Sequence, residues 1–315
     1  MTPETLLRAM AVVVPAVLGA LLLDVVCAAR GLLPPGFRIP WRRALADLTV
    51  ALLLAVAVFA PLGSLGMKAS TEDLSSISTP QLFLLHVLMV ITMGVWFLLG
   101  FAGAGARPVP PPEPAMPLHW PELVEPAGEA VFAPPPPPRV PLGRQFMAQF
   151  GYLAPSIPRE IGLGVMLGIG AWVAVIVALM VIAGVVLALG GQNAIPKSPP
   201  ALIPLIAGLP IWVRFLVSLS AGVVEESFFR GFLQPRIGIL ASTGFFVLAH
   251  LSYGQPFMLV GIALLSLIYA FLVRWRQNVW PAMAAHALFD GVQLLVVVPA
   301  ALRMLGAEKG AAFLW

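Results

Sequence analysis

Two adjacent glutamates, Glu225 and Glu226, are followed by Arg230 in an apolar stretch long enough to reach deep into a bilayer. Residues four apart lie on one face of an α-helix, so Glu226 and Arg230 are predicted to form an ion pair. Glu225 lies ~100° around the helix and can face a cavity instead. A carboxylate at such depth costs about 2.5–3.5 kcal/mol even on the lenient insertion scale, which makes a functional site the default interpretation.

Two histidines recur at the same helical spacing, with His250 following Phe246 and His286 preceding Asp290. A glutamate in a low-dielectric pocket can take a proton from water and return it to a leaving amine. A histidine can assist the water, bind a metal ion through a neutral ring nitrogen, or donate to a developing oxyanion. Asp290 can orient the His286 ring from one turn away. Together these side chains are the components of a hydrolytic site.

Helix geometry predicts the depth of these groups. Glu225 and His250 are each about 12 residues from the centre of a turn at residues 235–238, or ~18 Å at 1.5 Å per residue. An antiparallel hairpin therefore brings them to one level. By the same rise, His286 lies only ~10 Å from the start of its span at Trp280. It reaches the level of the other two only if that span is staggered or enters deeper.

Three motifs thus lie in order on apolar segments: Glu-Glu-x-x-x-Arg at 225–230, Phe-x-x-x-His at 246–250 and His-x-x-x-Asp at 286–290. In this combination the chain resembles the CAAX protease and bacteriocin-processing family, also called CPBP or Abi, over roughly residues 200–300. The resemblance implies an intramembrane endopeptidase with an all-helical core and a site open toward the cytosol.

The resemblance also implies a role for each motif residue. Glu225 would activate the catalytic water with His250 as its partner, and His286 and Asp290 would bind or polarise the substrate carbonyl, or complete a metal site. Asparagine is frequent at the last motif position, and the carboxylate of Asp290 donates no hydrogen bond unless it is protonated. The candidate catalytic residues are Glu225, Glu226, His250, His286 and Asp290, supported by Arg230 and Phe246.

The need for a metal ion stays open at this point. The family is generally labelled metal-dependent, and a divalent ion such as zinc would use Glu225, His250 and His286 as ligands. The alternative is a water activated by the glutamate without a metal. The motif residues suit both chemistries.

The composition predicts the elements that position this site. Of 315 residues, 60% are hydrophobic and 10% are charged, against about 25% charged in soluble domains. Several apolar runs exceed the ~20 residues that span a hydrocarbon core, so we expect an all-α polytopic membrane bundle of about eight spans. The predicted spans are 6–29, 44–62, 82–106, 160–190, 203–236, 238–254, 257–273 and 280–303.

Arginines are concentrated in alternate loops, around residues 30–43, 107–159, 230–236 and 274–276. By the positive-inside rule these loops are cytoplasmic and both termini lie outside. We therefore expect an integral protein of a bacterial plasma membrane with the active site facing the cytoplasm. The net charge of +4 reflects this bias of membrane loops, and no nucleic-acid partner is expected.

One segment, 107–159, holds 16 of the 32 prolines, including an unbroken run of five. Proline at this density disfavours helix and favours extended polyproline II. We interpret the segment as a disordered cytoplasmic linker, with a docking site for a cytoplasmic partner as the alternative. It divides the chain into a three-span unit at 1–106 and a protease-like domain at 160–315.

Several other residues receive a structural interpretation. The first apolar run is read as a retained span rather than a signal peptide, because it is long, contains Asp24 and lacks a good cleavage site. Asp24 is expected to make an interhelical or interfacial contact, and His86 and His119 are interpreted as structural. The single cysteine, Cys27, excludes a disulfide within the chain and a multi-cysteine metal site.

Two other classes of function are alternatives. A non-catalytic scaffold or bacteriocin-immunity protein of the same fold would be expected to lose motif residues, and all are present here. A proton-coupled transporter also needs buried ionisable groups, but the two halves of this chain show no internal repeat. The expected partners are a membrane-associated peptide or protein substrate and the bilayer. Whether that substrate is prenylated stays open.

Overall fold

The computed structural model describes residues 2–63, 79–103, 140–190, 202–251 and 256–304. Over these residues the chain is helical and contains no strand, which confirms the predicted all-α class. The α-helices are α1 Pro3–Ala29, α2 Pro40–Leu54, α3 Ala60–Gly63, α4 Thr79–Leu82, α5 Leu84–Phe101, α6 Leu142–Gln149, α7 Ile157–Ala188, α8 Leu202–Ala207, α9 Ile211–Ser220, α10 Gln234–Ile237, α11 Ile239–Ala249, α12 Pro256–Arg276, α13 Trp280–Val292 and α14 Val298–Met304. Wider π turns occupy Ala55–Phe59, Ala221–Glu225, Ser227–Leu233 and Gln293–Val297.

Five of the described helical segments are long and apolar enough to cross a membrane: Glu4–Ala29, Leu84–Phe101, Ile157–Ala188, Phe257–Arg276 and Trp280–Met304. The other three predicted spans also fall on helices. The span at 44–62 covers α2, α3 and the π turn between them, and the span at 203–236 is divided at residues 208–210. The span at 238–254 contains α11, and its residues 252–254 lie outside the described residues. A helical membrane bundle is therefore confirmed, while the number of complete crossings stays a prediction.

The segment that carries both glutamates is continuous from α9 to α10, but it is wound in wide turns. Ala221–Glu225 and Ser227–Leu233 are both π-helical, separated only by Glu226. Such turns are rare and occur frequently at functional sites. The predicted angle of ~100° between Glu225 and Glu226 applies to an α-helix of 3.6 residues per turn, so it is wrong for these π turns.

A tight reversal connects this segment to the next helix. Gly238 adopts a φ of 88°, a left-handed conformation that glycine reaches without steric cost, and it separates α10 from α11. The turn predicted at residues 235–238 is confirmed. Because the two flanking segments run antiparallel from this point, residues equally distant from the turn lie near each other.

Small residues let the helix of His286 approach its neighbours closely. A Cβ atom on Gly222 would lie 2.6 Å from the carbonyl oxygen of Met283 and 2.7 Å from the Cβ of Ala287. On the other side, a Cβ on Gly168 of α7 would lie 2.8 Å from the Cα of Ala285. The close approach fixes α13 between α7 and the glutamate segment, and small residues commonly permit such contacts between membrane helices.

The N-terminal helices share one hydrophobic core with the helices of the motifs. The guanidinium of Arg236 lies between two aromatic rings, 4.1 Å from the centre of Trp96 on α5 and 4.2 Å from the centre of Phe232. Arg30, after α1, donates a hydrogen bond of 2.6 Å to the carbonyl of Arg236. The two units that the sequence divides are therefore packed against each other over an extended surface.

Asp24 of α1 pairs with Arg43 of α2 through both carboxylate oxygens. Arg43 is part of α2 rather than of the preceding loop. The contact joins two helices of the N-terminal unit, so the interhelical interpretation of Asp24 is confirmed.

Part of the predicted linker is ordered. Residues 142–149 form α6, and Phe150 directly after it is fully buried with its ring 6.1 Å from that of Phe232. Disorder across 107–159 is thus wrong from residue 140 onward, because aromatic side chains there pack into the core and outweigh the scattered prolines. The proline run, its predicted partner and His119 lie outside the described residues.

Candidate active site

Glu225 is buried, and its two carboxylate oxygens face two different histidines. Oε1 lies 3.1 Å from His86 Nε2, and Oε2 lies 3.9 Å from His250 Nε2. An ionised carboxylate only accepts hydrogen bonds, so the Nε2–H of His86 donates to Oε1. The second distance is too long for a direct hydrogen bond. Oε2 has no hydrogen-bond donor among the described residues.

The tautomer of His250 follows from its backbone contact. Its Nδ1 lies 2.7 Å from the carbonyl oxygen of Phe246. A carbonyl oxygen only accepts, so Nδ1 carries the hydrogen, and in the neutral ring Nε2 presents a lone pair toward Glu225. Glu225 Oε2 and His250 Nε2 are then two acceptors that cannot bond to each other. One water that lies beside the line between them can donate a hydrogen to each.

Glu226 is fully buried and holds two partners. Its Oε2 lies 3.2 Å from Arg230 Nε, which confirms the predicted ion pair. Its Oε1 accepts a hydrogen bond of 2.8 Å from His286 Nδ1, a contact that the sequence did not predict. Glu226 therefore fixes the ring of one motif histidine as well as the arginine of its own motif.

Arg230 is 1% exposed, and its side chain makes further contacts within the bundle. Nη2 donates to both the carbonyl and the hydroxyl oxygen of Ser266, each at 3.1 Å. The guanidinium lies 4.5 Å from the centre of the Phe246 ring. Such burial favours a structural role for Arg230.

His286 is oriented from three sides. Besides the bond from Nδ1 to Glu226, its Nε2 lies 3.6 Å from Asp290 Oδ2, and its ring stacks on that of Tyr269 with 5.2 Å between centres. Phe246 packs against the ring edge, with 6.0 Å between the ring centres. The expected orientation of His286 by Asp290 is thus shared with Glu226, which makes the shorter contact.

One cavity of about 490 Å³ is lined by five titratable residues: His86, Glu225, His250, His286 and Asp290. Its polar wall is formed by both histidine motifs, Glu225 and Asp290, while the remainder is mostly apolar. Leu82 and Leu85 contribute to the lining from the N-terminal unit, and Leu179 contributes from α7. The cavity wall is therefore mostly apolar, with one small cluster of titratable groups.

His86 is the site residue that the sequence interpretation missed. It was read as a structural residue at the start of the third span, yet it makes the shortest polar contact of Glu225. The only signal in the sequence is that histidines number four in the whole chain, and two others already belong to motifs.

The zinc site predicted from Glu225, His250 and His286 stays a prediction. Within the described ranges, no three His, Cys, Asp or Glu side chains are grouped so as to hold a metal ion. Both ring nitrogens of His286 face carboxylate oxygens, and His86 directs an N–H rather than a lone pair at Glu225.

Similarity to known proteins is found in the segment that contains the three motifs. Residues 207–292 match the family described as type II CAAX prenyl endopeptidase Rce1-like. The protein named Uncharacterized protein YpbD, from Bacillus subtilis (strain 168), is 31% identical over 81 residues, which are 25% of this chain and 42% of that relative. No solved structure matches the chain. The three motifs lie inside the matched segment, and residues 207–292 are accordingly a domain of the Rce1-like family of CAAX endopeptidases.

Proposed function

We propose that this protein is an intramembrane endopeptidase that hydrolyses peptide bonds with a water held between Glu225 and His250. The observation that carries the proposal is the 3.9 Å separation of Glu225 Oε2 and His250 Nε2 at the wall of the cavity. Two acceptors at this distance are arranged to take both hydrogens of one water. The water's oxygen lone pairs then point away from both groups, toward the cavity.

In the proposed reaction, the water oxygen forms a bond to the carbonyl carbon of the substrate. One proton of the water passes to Glu225 Oε2, and the other stays on the attacking oxygen. The carbonyl oxygen becomes an oxyanion. When the bond between carbon and nitrogen breaks, the proton moves from Glu225 to the leaving amine. General acid and base catalysis of this kind contributes typically about 10²–10⁴-fold to the rate.

His286 is the proposed donor to the oxyanion. Its Nδ1 is engaged by Glu226, so Nε2 is the nitrogen that can act on a substrate, beside Asp290. Nε2 carries a hydrogen when the ring is protonated, and Asp290 balances the charge of that form. Preorganised donors of this type are worth about 10²–10³-fold in turnover.

The proposed substrate is a membrane-associated peptide or protein, because the cavity wall outside the polar cluster is apolar. The proposed location is a bacterial plasma membrane, with the site open to the cytoplasm as the arginine distribution indicates. The chain spans less than half the length of the relative that it matches.

The test is cleavage of membrane-anchored reporters by the purified full chain in lipid nanodiscs. The reporters are a single-span fusion protein and an internally quenched peptide that ends in a Cys-aliphatic-aliphatic-X sequence, with and without a farnesyl group. Glu225→Ala and His250→Ala are compared with wild type and with Glu4→Ala, which removes an exposed glutamate far along the chain. We expect cleavage by wild type and Glu4→Ala only. If all four folded proteins behave alike on every reporter, the protease proposal fails and a non-catalytic scaffold takes its place.

A further inference from the structure

We infer that His86, from the N-terminal unit, is a positioning residue of the active site that fixes the carboxylate of Glu225. The inference rests on the proposed function, since it assigns His86 a part in the same reaction. His86 lies outside the segment 207–292 that matches the endopeptidase family. The site would accordingly be completed by a helix that the family domain does not contain.

The contact itself is short and directional. His86 Nε2 and Glu225 Oε1 are 3.1 Å apart across 139 residues of chain, and both side chains are nearly buried. With Oε1 held by His86, the plane of the carboxylate is fixed and Oε2 is turned toward His250. Rotation of this carboxylate would move Oε2 out of reach of the water, and a misplacement of about 1 Å can cost ~10²-fold in rate.

The two histidines that face Glu225 act in opposite senses. His250 keeps its hydrogen on Nδ1 for the Phe246 carbonyl, so its Nε2 accepts. His86 donates from Nε2, and its Nδ1 is buried without a hydrogen-bond partner in the part of the chain that the structure describes. A purely structural histidine would be expected to satisfy both nitrogens, because a buried polar atom without a partner is unfavourable. Only the nitrogen toward the site is used here.

The surroundings of His86 place it at the cavity rather than at a distant packing contact. Leu82 and Leu85, on the same side of the N-terminal unit, line the cavity together with His86. A substrate in the cavity would therefore contact this helix while Glu225 acts on it. The N-terminal unit contributes both a wall and a hydrogen-bond donor.

The test uses the full chain and three variants. His86→Ala removes the donor, His86→Gln keeps an N–H on a side chain of similar reach, and Val87→Ala is the matched control, since Val87 is 50% exposed on the same helix. We expect His86→Ala to lower kcat by about 100-fold with little change in KM, and His86→Gln to recover most of that loss. Cleavage by His86→Ala as fast as by Val87→Ala, or no recovery in His86→Gln, would overturn the inference.

A second measurement does not depend on turnover. The thermal unfolding midpoint is measured for wild type, His86→Ala, Glu225→Ala and the double variant. We expect His86→Ala to lower the midpoint in the wild-type background and to lower it less when Glu225 is already absent. Equal losses in both backgrounds would overturn the inference. If no reporter is cleaved by wild type, the proposed function fails, and this cycle still decides whether His86 holds Glu225.

Discussion

The two adjacent glutamates are expected to respond oppositely to the same substitution. Glu225→Gln should abolish cleavage and leave the fold intact, whereas Glu226→Gln should destabilise the protein. The reason is the partner of each carboxylate. Glu225 faces imidazole nitrogens, while Glu226 is the counter-ion of Arg230, and the two side chains of that ion pair are 0% and 1% exposed.

The magnitude follows from burial. Removal of one partner from a buried ion pair costs about 3–5 kcal/mol, because the other charge is left uncompensated. The hydrogen bonds from Arg230 to Ser266 and its contact with Phe246 are present before and after the change, so they do not offset it. A glutamine at position 226 keeps an oxygen for His286, which places the expected loss near the lower bound, about 3 kcal/mol. For Glu225→Gln the amide oxygen still accepts from His86, and we expect a change within about 1 kcal/mol.

The assay is unfolding in mixed micelles at rising mole fraction of SDS, followed by the fluorescence of the eight tryptophans, with reporter cleavage measured in parallel. A double variant, Glu226→Gln with Arg230→Met, serves as the internal control. Replacement of a whole buried ion pair by uncharged groups is often close to neutral, so the double variant should be more stable than Glu226→Gln alone. Equal loss of stability in Glu225→Gln and Glu226→Gln, or no recovery in the double variant, would refute the division of roles.

Three further outcomes are expected. Gly222→Ala should reduce both stability and cleavage, by about 1–3 kcal/mol of unfolding free energy, because its Cβ would overlap α13, whereas Gly244→Ala on α11 meets open space and should be tolerated. Tyr152→Phe should cost about 1 kcal/mol in the same unfolding titration, because it removes the 2.6 Å hydrogen bond that the tyrosine donates to Ser227. Burial raises the pKa of the Tyr152 phenol, so this bond should persist through mildly alkaline pH, and a larger loss of stability in wild type than in Tyr152→Phe on raising the pH to 9 would contradict it. Chelator treatment should leave cleavage unchanged, with less than one equivalent of zinc found by elemental analysis, and reactivation by added zinc would show that the donor set closes around a metal.

Much of the site could be predicted because ionisable residues stand out in an apolar chain. Glu225 and His250 were placed at one depth by counting residues through the hairpin, and the 3.9 Å distance between them agrees. This worked because the rise of a helix is nearly constant and Gly238 marks the turn. The ion pair of Glu226 with Arg230 followed from spacing in the same way, and it persists although the segment is π-helical.

The contacts that could not be predicted are those between distant segments. No periodicity connects His86 to Glu225 or Glu226 to His286, because each contact depends on how whole helices pack. The packing depends in turn on features such as the close approach of Gly222 to α13. In the sequence, Gly222 is only a small residue, and nothing indicates which helix it contacts. The predicted end of the disordered linker at residue 159 was wrong for a related reason. The proline content of a segment does not predict the tertiary contacts of a residue such as Phe150.

The geometry is compatible with the role proposed for Glu225, that of a buried carboxylate which is both held and reactive. A buried carboxylate with no donor is costly, and one with donors on both oxygens is a poor base. In this protein the donor on Oε1 comes from the N-terminal unit and the acceptor beside Oε2 comes from the Rce1-like domain. The donor that holds Oε1 and the acceptor beside Oε2 thus come from different parts of the chain. A change in how α5 packs against the glutamate segment would therefore alter the proposed reactivity of Glu225 while all residues of the three motifs stay the same.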